Sequence, residues 1–393
     1  MDANRRRFLG LTGTALTAGL AGCAGGDSTP TAEGSESTAT GTATSAGTET
    51  EANTEGSYTV TMAPVGDVTL DTVPETFTVY ESGYADMGVA LGMGDDLLAV
   101  GNSARFYTDH YAELDGVSVT EEPTQLLGDS SAIDAELLLE LDSDIHLIDP
   151  QWLLNNGFFK LEQSDLDLIS QSAGPFVGNT IFRRTDGWHD YQYYTLYEAF
   201  EKVAQVFRRE DRYEAVKAVH DEALDTVSAK LPGPDQRPNA LLTFAGGDEP
   251  DAFYPYRLSG QGTNKKQFRD LGITDALAGT GISGLSTTDR GQIDYETILD
   301  VDPDSILVRG HEDKTEAEFQ DTVVAYMEDH SVASQLTAVE NEQVFRGGPI
   351  YQGPLQHLFN LERFATNYFP EAFSGELFAR AELSAAVRGE ASQ

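Results

Sequence analysis

The stretch Ile133-Asp134-Ala135-Glu136-Leu137-Leu138-Leu139-Glu140-Leu141-Asp142-Ser143-Asp144 returns 160 residues later as Ile293-Asp294-Tyr295-Glu296-Thr297-Ile298-Leu299-Asp300-Val301-Asp302-Pro303-Asp304. Each copy runs straight into a short apolar segment, Ile145-His146-Leu147-Ile148 and Ser305-Ile306-Leu307-Val308. Runs of this length bounded by turn residues read as buried strands, and Asp134 or Asp294 reads as the cap of a helix with Glu136 or Glu296 in its first turn. A second echo pairs Leu91-Gly92-Met93-Gly94-Asp95 with Leu271-Gly272-Ile273-Thr274-Asp275, offset by 180 residues. The chain therefore carries two related halves, and each half contains both elements.

Between the halves lies one long helical pattern. From Asp211 to Lys230, Tyr213, Val216, Val219, Ala223, Leu224 and Val227 fall near i, i+3, i+4 and i+7 spacing, with Asp211 as candidate N-cap and Leu231-Pro232-Gly233-Pro234 as the stop. Twenty helical residues span about 30 Å, enough to join two lobes. On either side, short apolar runs alternate with helix-sized segments: Tyr58–Met62, Thr76–Tyr80, Leu97–Gly101, Ile145–Ile148 and Leu166–Ile169, then Ala240–Phe244, Ser305–Val308 and Gln343–Phe345. That alternation predicts an α/β fold with largely parallel sheets: two Rossmann-like lobes joined by one long α-helix, with a ligand cleft between them. The expected divisions are a first lobe over 58–210, the linking helix 211–231, a second lobe over 232–370 and a C-terminal tail 371–393.

The amino terminus is not part of this body. Arg5-Arg6-Arg7-Phe8-Leu9 followed by an apolar run to Ala21 reads as a twin-arginine export signal, too short to span a bilayer. Residues 1–23 end in Leu20-Ala21-Gly22-Cys23, which resembles a lipoprotein processing site. Cys23 is the only cysteine, so it forms no internal disulfide or cysteine zinc site and is placed to carry a lipid. Residues 24–57 are Thr, Ser, Gly, Ala and Glu with almost no large apolar side chains, a disordered tether with an end-to-end distance of roughly 30 Å. The expected location is the outer face of the cytoplasmic membrane.

Sixty-five acidic residues stand against 25 basic ones, a net charge of −40. Phosphate binding requires clustered positive charge, so a nucleic-acid partner is disfavoured. Acid spread along the whole body, with only seven lysines, predicts a surface adapted to near-saturating salt, as in a halophilic archaeon.

In order and spacing, the two Ile-Asp-x-Glu elements, the linking helix and Val344-Phe345-Arg346-Gly347-Gly348-Pro349-Ile350-Tyr351 resemble the helix-linked periplasmic binding proteins of importers for ferric siderophores, haem and cobalamin. The likeness covers about Thr76 to Pro370. It implies a monomeric binding protein that hands a chelate to the permease and ATPase subunits of an ABC importer. It further implies that one exposed glutamate on each lobe, here Glu136 and Glu296, docks on the permease. A first-turn glutamate serves its own helix dipole as well, and the two readings are compatible.

Open α/β sheets bind ligands beyond the carboxyl ends of their strands. The loops following each expected strand bring up Tyr84, Arg105, Phe106, Tyr107, Trp152 and the 183–194 stretch with Trp188 in the first half. In the second half they bring up Phe253, Tyr254, Tyr256, Arg257, Arg309, His311, Tyr351 and Gln352. Aromatic faces with guanidinium groups suit a large anionic chelate. Local packing and surface ion pairs are the alternative use of each residue. The seven histidines, at 110, 146, 189, 220, 311, 330 and 357, are at least nineteen residues apart, so bare metal cargo is disfavoured. No resident cofactor is expected; iron arrives inside its chelator, and a ferric siderophore is preferred over cobalamin or haem. Catalysis lacks a Gly-x-Ser-x-Gly elbow, a phosphate loop or a His-Glu-x-x-His motif, although Ser283 and Ser286 lie near glycines. A secreted hydrolase and a cell-surface structural protein remain the rival readings.

Overall fold

The structure, a computed structural model, describes residues 56–128, 132–282 and 291–390. The expectations for the signal, for Cys23, for nearly all of the tether and for Ser283 and Ser286 lie outside the described residues. The strands are β1 (Tyr58–Met62), β2 (Gly66–Leu70), β3 (Phe77–Val79), β4 (Leu97–Val100), β5 (Thr124–Gln125), β6 (Ile145–Leu147), β7 (Asn239–Phe244), β8 (Tyr254–Pro255), β9 (Thr274–Asp275), β10 (Ser305–Arg309) and β11 (Val344–Arg346). The first half forms a sheet in the order β5-β4-β3-β6 with every neighbour parallel. The second half forms a sheet in the order β11-β10-β7-β8, with β9 also on β7 and only β8 antiparallel. Helices cover both faces, which is why Phe77–Val79, Ile145–Leu147 and Ser305–Arg309 are buried at every position. The β1–β2 hairpin stands apart and packs on helix Leu196–Phe207.

The repeated stretch now has a physical account. Asp134 accepts from Glu136 N at 3.0 Å, and Asp294 accepts from Thr297 N at 2.9 Å, each capping its helix. Both helices stop at an aspartate in the left-handed region, Asp142 at φ 47° and Asp302 at φ 46°. Two residues on, Asp144 accepts from Glu75 N and Thr76 N at the entry to β3, and Asp304 from Asn239 N and Nδ2 at the entry to β7. The motif thus caps a helix, ends it, and stitches the following strand to its neighbour. In the second echo, Gly92 (φ 69°) and Gly272 (φ 67°) end helices Ser82–Ala90 and Lys266–Asp270. At these positive φ values a side chain would be strained at either position, and a Cβ would also displace the guanidinium of Arg212 at Gly92 and of Arg237 at Gly272.

The long helix runs from Glu210 to Lys230. Its cap is Arg209 without a side-chain bond, so Asp211 lies inside the first turn rather than at the cap. Tyr213, Val216, Val219 and Ala223 join the first-lobe core, and Val227 joins the second. A second helix, Pro354–Tyr368, divides in the same way: Leu355 and Leu358 are buried with the first lobe, Leu361, Phe364 and Ala365 with the second. At roughly 2 kcal/mol for each fully buried large apolar side chain, both of its ends are firmly held. A second helix thus packs across both lobes beside the linking one.

Two further expectations change. Leu166–Ile169 is not a strand but the middle of helix Gln163–Ser172, started by a reciprocal Glu162–Asp165 capping box; a four-residue apolar run carries no period long enough to tell the two apart. Residues 371–390 are not a tail. Phe373 packs in the second lobe, while Phe378, Leu383, Ala386 and Val387 enter the first-lobe core through helix Arg380–Arg388. Among the described residues, no helix is long and apolar enough to cross a membrane.

Candidate functional site

The carboxyl ends of β3, β4 and β6 in one lobe and of β7, β10 and β11 in the other converge on one region. Its floor is an aromatic stack. Tyr80, directly after β3, lies 5.7 Å from Trp152, 5.1 Å from Phe159 and 6.3 Å from Tyr351, ring centre to ring centre. Tyr351 follows β11 in the second half yet packs in the first-lobe cluster, 4.9 Å from Phe182. Trp188 extends the stack, 6.3 Å from Trp152 and nearly parallel to His189. Two guanidinium groups lie over it, Arg105 at 5.9 Å from Tyr351 and Arg183 at 5.1 Å from Trp152. Backbone joins the lobes here: Thr263 N donates to Ile181 O at 3.0 Å, and a Cβ on Gly262 would lie 1.8 Å from Phe182 O.

The second-lobe side is cationic. Arg309 stacks over Tyr256 at 5.1 Å, and its guanidinium donates to Gly347 O and Asn264 O. Lys265 is buried beside it; burial and the charges of Arg309 and Arg269 bring its ammonium down to about 7. At the edge, Tyr107 comes from the first lobe and faces Glu312 and Asp313 of the second. Burial and those two acids push its hydroxyl up to about 12. Tyr107 and Glu312 bound a cavity of about 760 Å3 that continues along helix Pro354–Tyr368.

Of the residues expected to line the cleft, Arg105, Tyr107, Trp188, Tyr254 and Arg257 are half-buried at strand ends, and Arg257 lies 3.9 Å from Asp275. Trp152 and Tyr351 sit within the stack. Three expectations are corrected. Tyr84 is 1 % exposed inside the first lobe, donating its hydroxyl to Asn179 O and accepting from Asn179 N. Arg309 is 0 % exposed and spans backbone carbonyls. His311 is buried against Phe319, and burial, aided by Lys314, lowers its pKa. Counting loops after strands places a residue at the right end of the sheet but says nothing of which way its side chain turns. Three further charged groups of this region, Glu81, Asp149 and Lys265, are not among the expected residues. Glu81 and Asp149 directly follow expected strands, but an acid is not a group that an anionic ligand selects.

Behind the stack, three histidines are held neutral. Burial lowers His146 to about 4. Burial and Lys266 lower His357 to about 4, and burial and His357 lower His220 to about 3. His357 Nε2 lies 2.9 Å from Asp270; burial alone would raise that carboxyl, but His357 and Lys266 outweigh it and hold it well below its usual range. The folded-state histidine values lie below the unfolded value near 6.5, so the unfolded chain takes up protons first as pH falls. Stability should therefore drop between pH 6.5 and about 4, by roughly 3 kcal/mol for a histidine shifted as far as His146. Denaturant unfolding at pH 7.5 and pH 4.5, at constant high salt, checks this, and equal midpoints would refute it. Among the described residues, no three His, Cys, Asp or Glu side chains converge as a metal site.

A model of the family described as "Periplasmic binding protein" matches residues 78–351. Among solved structures, CeuE of Helicobacter pylori in a nickel–histidine complex is 16 % identical, with a TM-score of 0.52, covering 81 % of this chain and 90 % of that one. FeuA of Bacillus subtilis, a triscatecholate siderophore binding protein complexed with ferri-bacillibactin, is 15 % identical with a TM-score of 0.54, covering 80 % and 98 %. The heme binding protein HmuT is 16 % identical with a TM-score of 0.53, covering 79 % and 90 %. At these identities the likeness is one of fold. A search of curated protein sequences returned no match.

Proposed function

Because this chain belongs to the periplasmic binding protein family, whose members bind solutes outside the cytoplasm, we propose that it is the solute-binding subunit of an ABC importer and that its cargo is a ferric siderophore. The observation that carries this reading is the aromatic floor under Arg105 and Arg183 at the meeting of two sets of strand ends. A ferric hydroxamate, catecholate or carboxylate presents oxygen acceptors around a metal it already holds. Guanidinium groups and ring faces meet such a surface without ligating the iron. In a chain of net charge −40, two guanidinium groups over one aromatic floor are a local concentration of positive charge, although Arg183 also pairs with Asp186. A catecholate chelate and haem are cargo of neighbours with the same fold. Haem would require an axial Tyr or His facing an apolar slot; His311 is buried, Tyr193 donates its hydroxyl to Ile181 O and Arg183 O, and the half-buried Tyr107 faces the acids Glu312 and Asp313.

Both tryptophans of the chain, Trp152 and Trp188, belong to the floor, so intrinsic tryptophan emission reports on this site alone. Ferric siderophores should quench it strongly at multimolar salt, while cyanocobalamin and haemin do not. Tight quenching by cobalamin alone would overturn the cargo. Arg257→Ala, on the half-buried rim, should weaken siderophore binding about tenfold with the fold intact, the loss of one charge-assisted contact.

The protein works at the outer face of the cytoplasmic membrane, held by lipid on Cys23 with residues 24–57 as tether. Cys23→Ser should release an intact body into the medium. Retention in the membrane fraction as tight as wild type would show that the anchor lies elsewhere.

A further inference from the structure

Glu81 is the cleft residue that the anionic-cargo reading does not use. It follows Tyr80 at the carboxyl end of β3, a strand with neighbours on both sides. It is 6 % exposed, and among the described residues nothing donates a hydrogen bond to its carboxylate. As the residue before helix Ser82–Ala90 it stands where an acidic side chain folds back onto the first N–H groups, yet no such bond forms. Its local structural use is therefore untaken.

A second acid stands level with it. The β3–β6 register pairs Val79 with Leu147, and Glu81 and Asp149 each lie two residues beyond, on strands about 4.8 Å apart. Asp149 is engaged, accepting from Gln151 N at 2.9 Å, Thr180 N at 2.8 Å and Tyr191 Oη at 2.5 Å. The nearest guanidinium, Arg183, is committed to Asp186 through two bonds, at 2.7 and 2.5 Å. Glu81 is left buried beside a like charge with no counter-ion of its own, and burial and Asp149 push its carboxyl well above the usual range. Glu81 lies within electrostatic reach of the hydroxyls of Tyr80, Tyr84, Tyr191, Tyr193 and Tyr351, so it is buried among tyrosines, two of which, Tyr80 and Tyr351, belong to the aromatic floor. A buried carboxylate among ring faces is a seat for a cation, which supplies both the missing charge and the missing donors.

We propose that Glu81 receives a protonated amine of the ligand, so that the cargo is an iron chelate carrying a cationic arm. The arm enters between the tyrosine rings and pairs with Glu81, while the oxygen-rich chelate lies under Arg105 and Arg183. This inference rests on the siderophore reading, and it selects within that class.

The test titrates the full-length protein at multimolar salt with two probes. One is the ferric complex of a linear trihydroxamate with a free terminal amine; the other is the same complex N-acetylated at that amine. The free-amine complex should bind wild type at least about tenfold more tightly, the loss expected for one charge-assisted bond. Glu81→Gln should remove that preference and leave affinity for the acetylated complex unchanged. Equal affinity of wild type for the two probes overturns the proposal without any variant, as does a preference that persists in folded Glu81→Gln. Failure of both probes and of every other ferric chelate to bind overturns the siderophore reading itself, and the cationic seat with it.

Discussion

Charge reversal of Glu136 and Glu296 together should abolish uptake of the cargo, by more than about 100-fold, while leaving its affinity for the protein unchanged. Both glutamates are exposed in the first turn of equivalent helices, one on each lobe, and neither is among the residues of the aromatic floor. The screening length is about 3 Å at 1 M salt, so long-range steering by the acidic surface is lost at such salt. Only ion pairs made at contact survive. Glutamates at two fixed points can still register the body on basic groups of the permease, and arginine in their place sets like charges against each other at contact distance, several kcal/mol apiece. The fold should tolerate the change, since a basic residue in an exposed first turn costs about 0.5 kcal/mol against the helix dipole. Transport of labelled chelate into cells at native salt, beside equilibrium binding to the purified double variant, separates the two quantities. Normal uptake would remove Glu136 and Glu296 from any docking role.

The largest stability effect should come from Asp86. This carboxylate, buried on helix Ser82–Ala90 of the first lobe, accepts from Leu355 N at 2.8 Å and Gln356 N at 3.2 Å, the first free N–H groups of helix Pro354–Tyr368. Tyr111 Oη donates to it at 2.7 Å, and His110 Nε2 lies 3.3 Å away. One side chain therefore neutralises the start of the second helix that knits the lobes. Gly353 is required beside it, because a Cβ there would lie 2.5 Å from Asp86 Oδ2. Asp86→Ala strands two buried N–H groups and a tyrosine hydroxyl together, and should cost roughly 3–5 kcal/mol. Asp86→Asn, which keeps one acceptor, should cost less. Denaturant unfolding at constant salt measures both, and a loss under about 1 kcal/mol for the alanine variant would show that the helix is held by packing alone.

What the amino-acid sequence determined by itself is local and repeated. The Ile-Asp-x-Glu stretches encode a cap, a left-handed stop and a stitch to the next strand within twelve residues, so their meaning survives without knowledge of the rest of the chain. Strand ends, the long helix between the halves and the exposure of Glu136 and Glu296 follow from the same short-range rules of capping, period and burial. What only the tertiary structure decided depends on side-chain direction and on contacts far apart in sequence. Tyr84 and Arg309 stand at the predicted strand ends and still turn inward, because Asn179, Gly347 and Asn264 offer partners that no spacing foretells. Tyr351 crosses to pack in the other lobe, and Phe378, Leu383, Ala386 and Val387 fold back into the first-lobe core. Glu81 is the sharpest case: its position after β3 was legible, but a carboxylate deprived of partners is a property of everything packed around it, and a linear chain does not contain that information until it has folded.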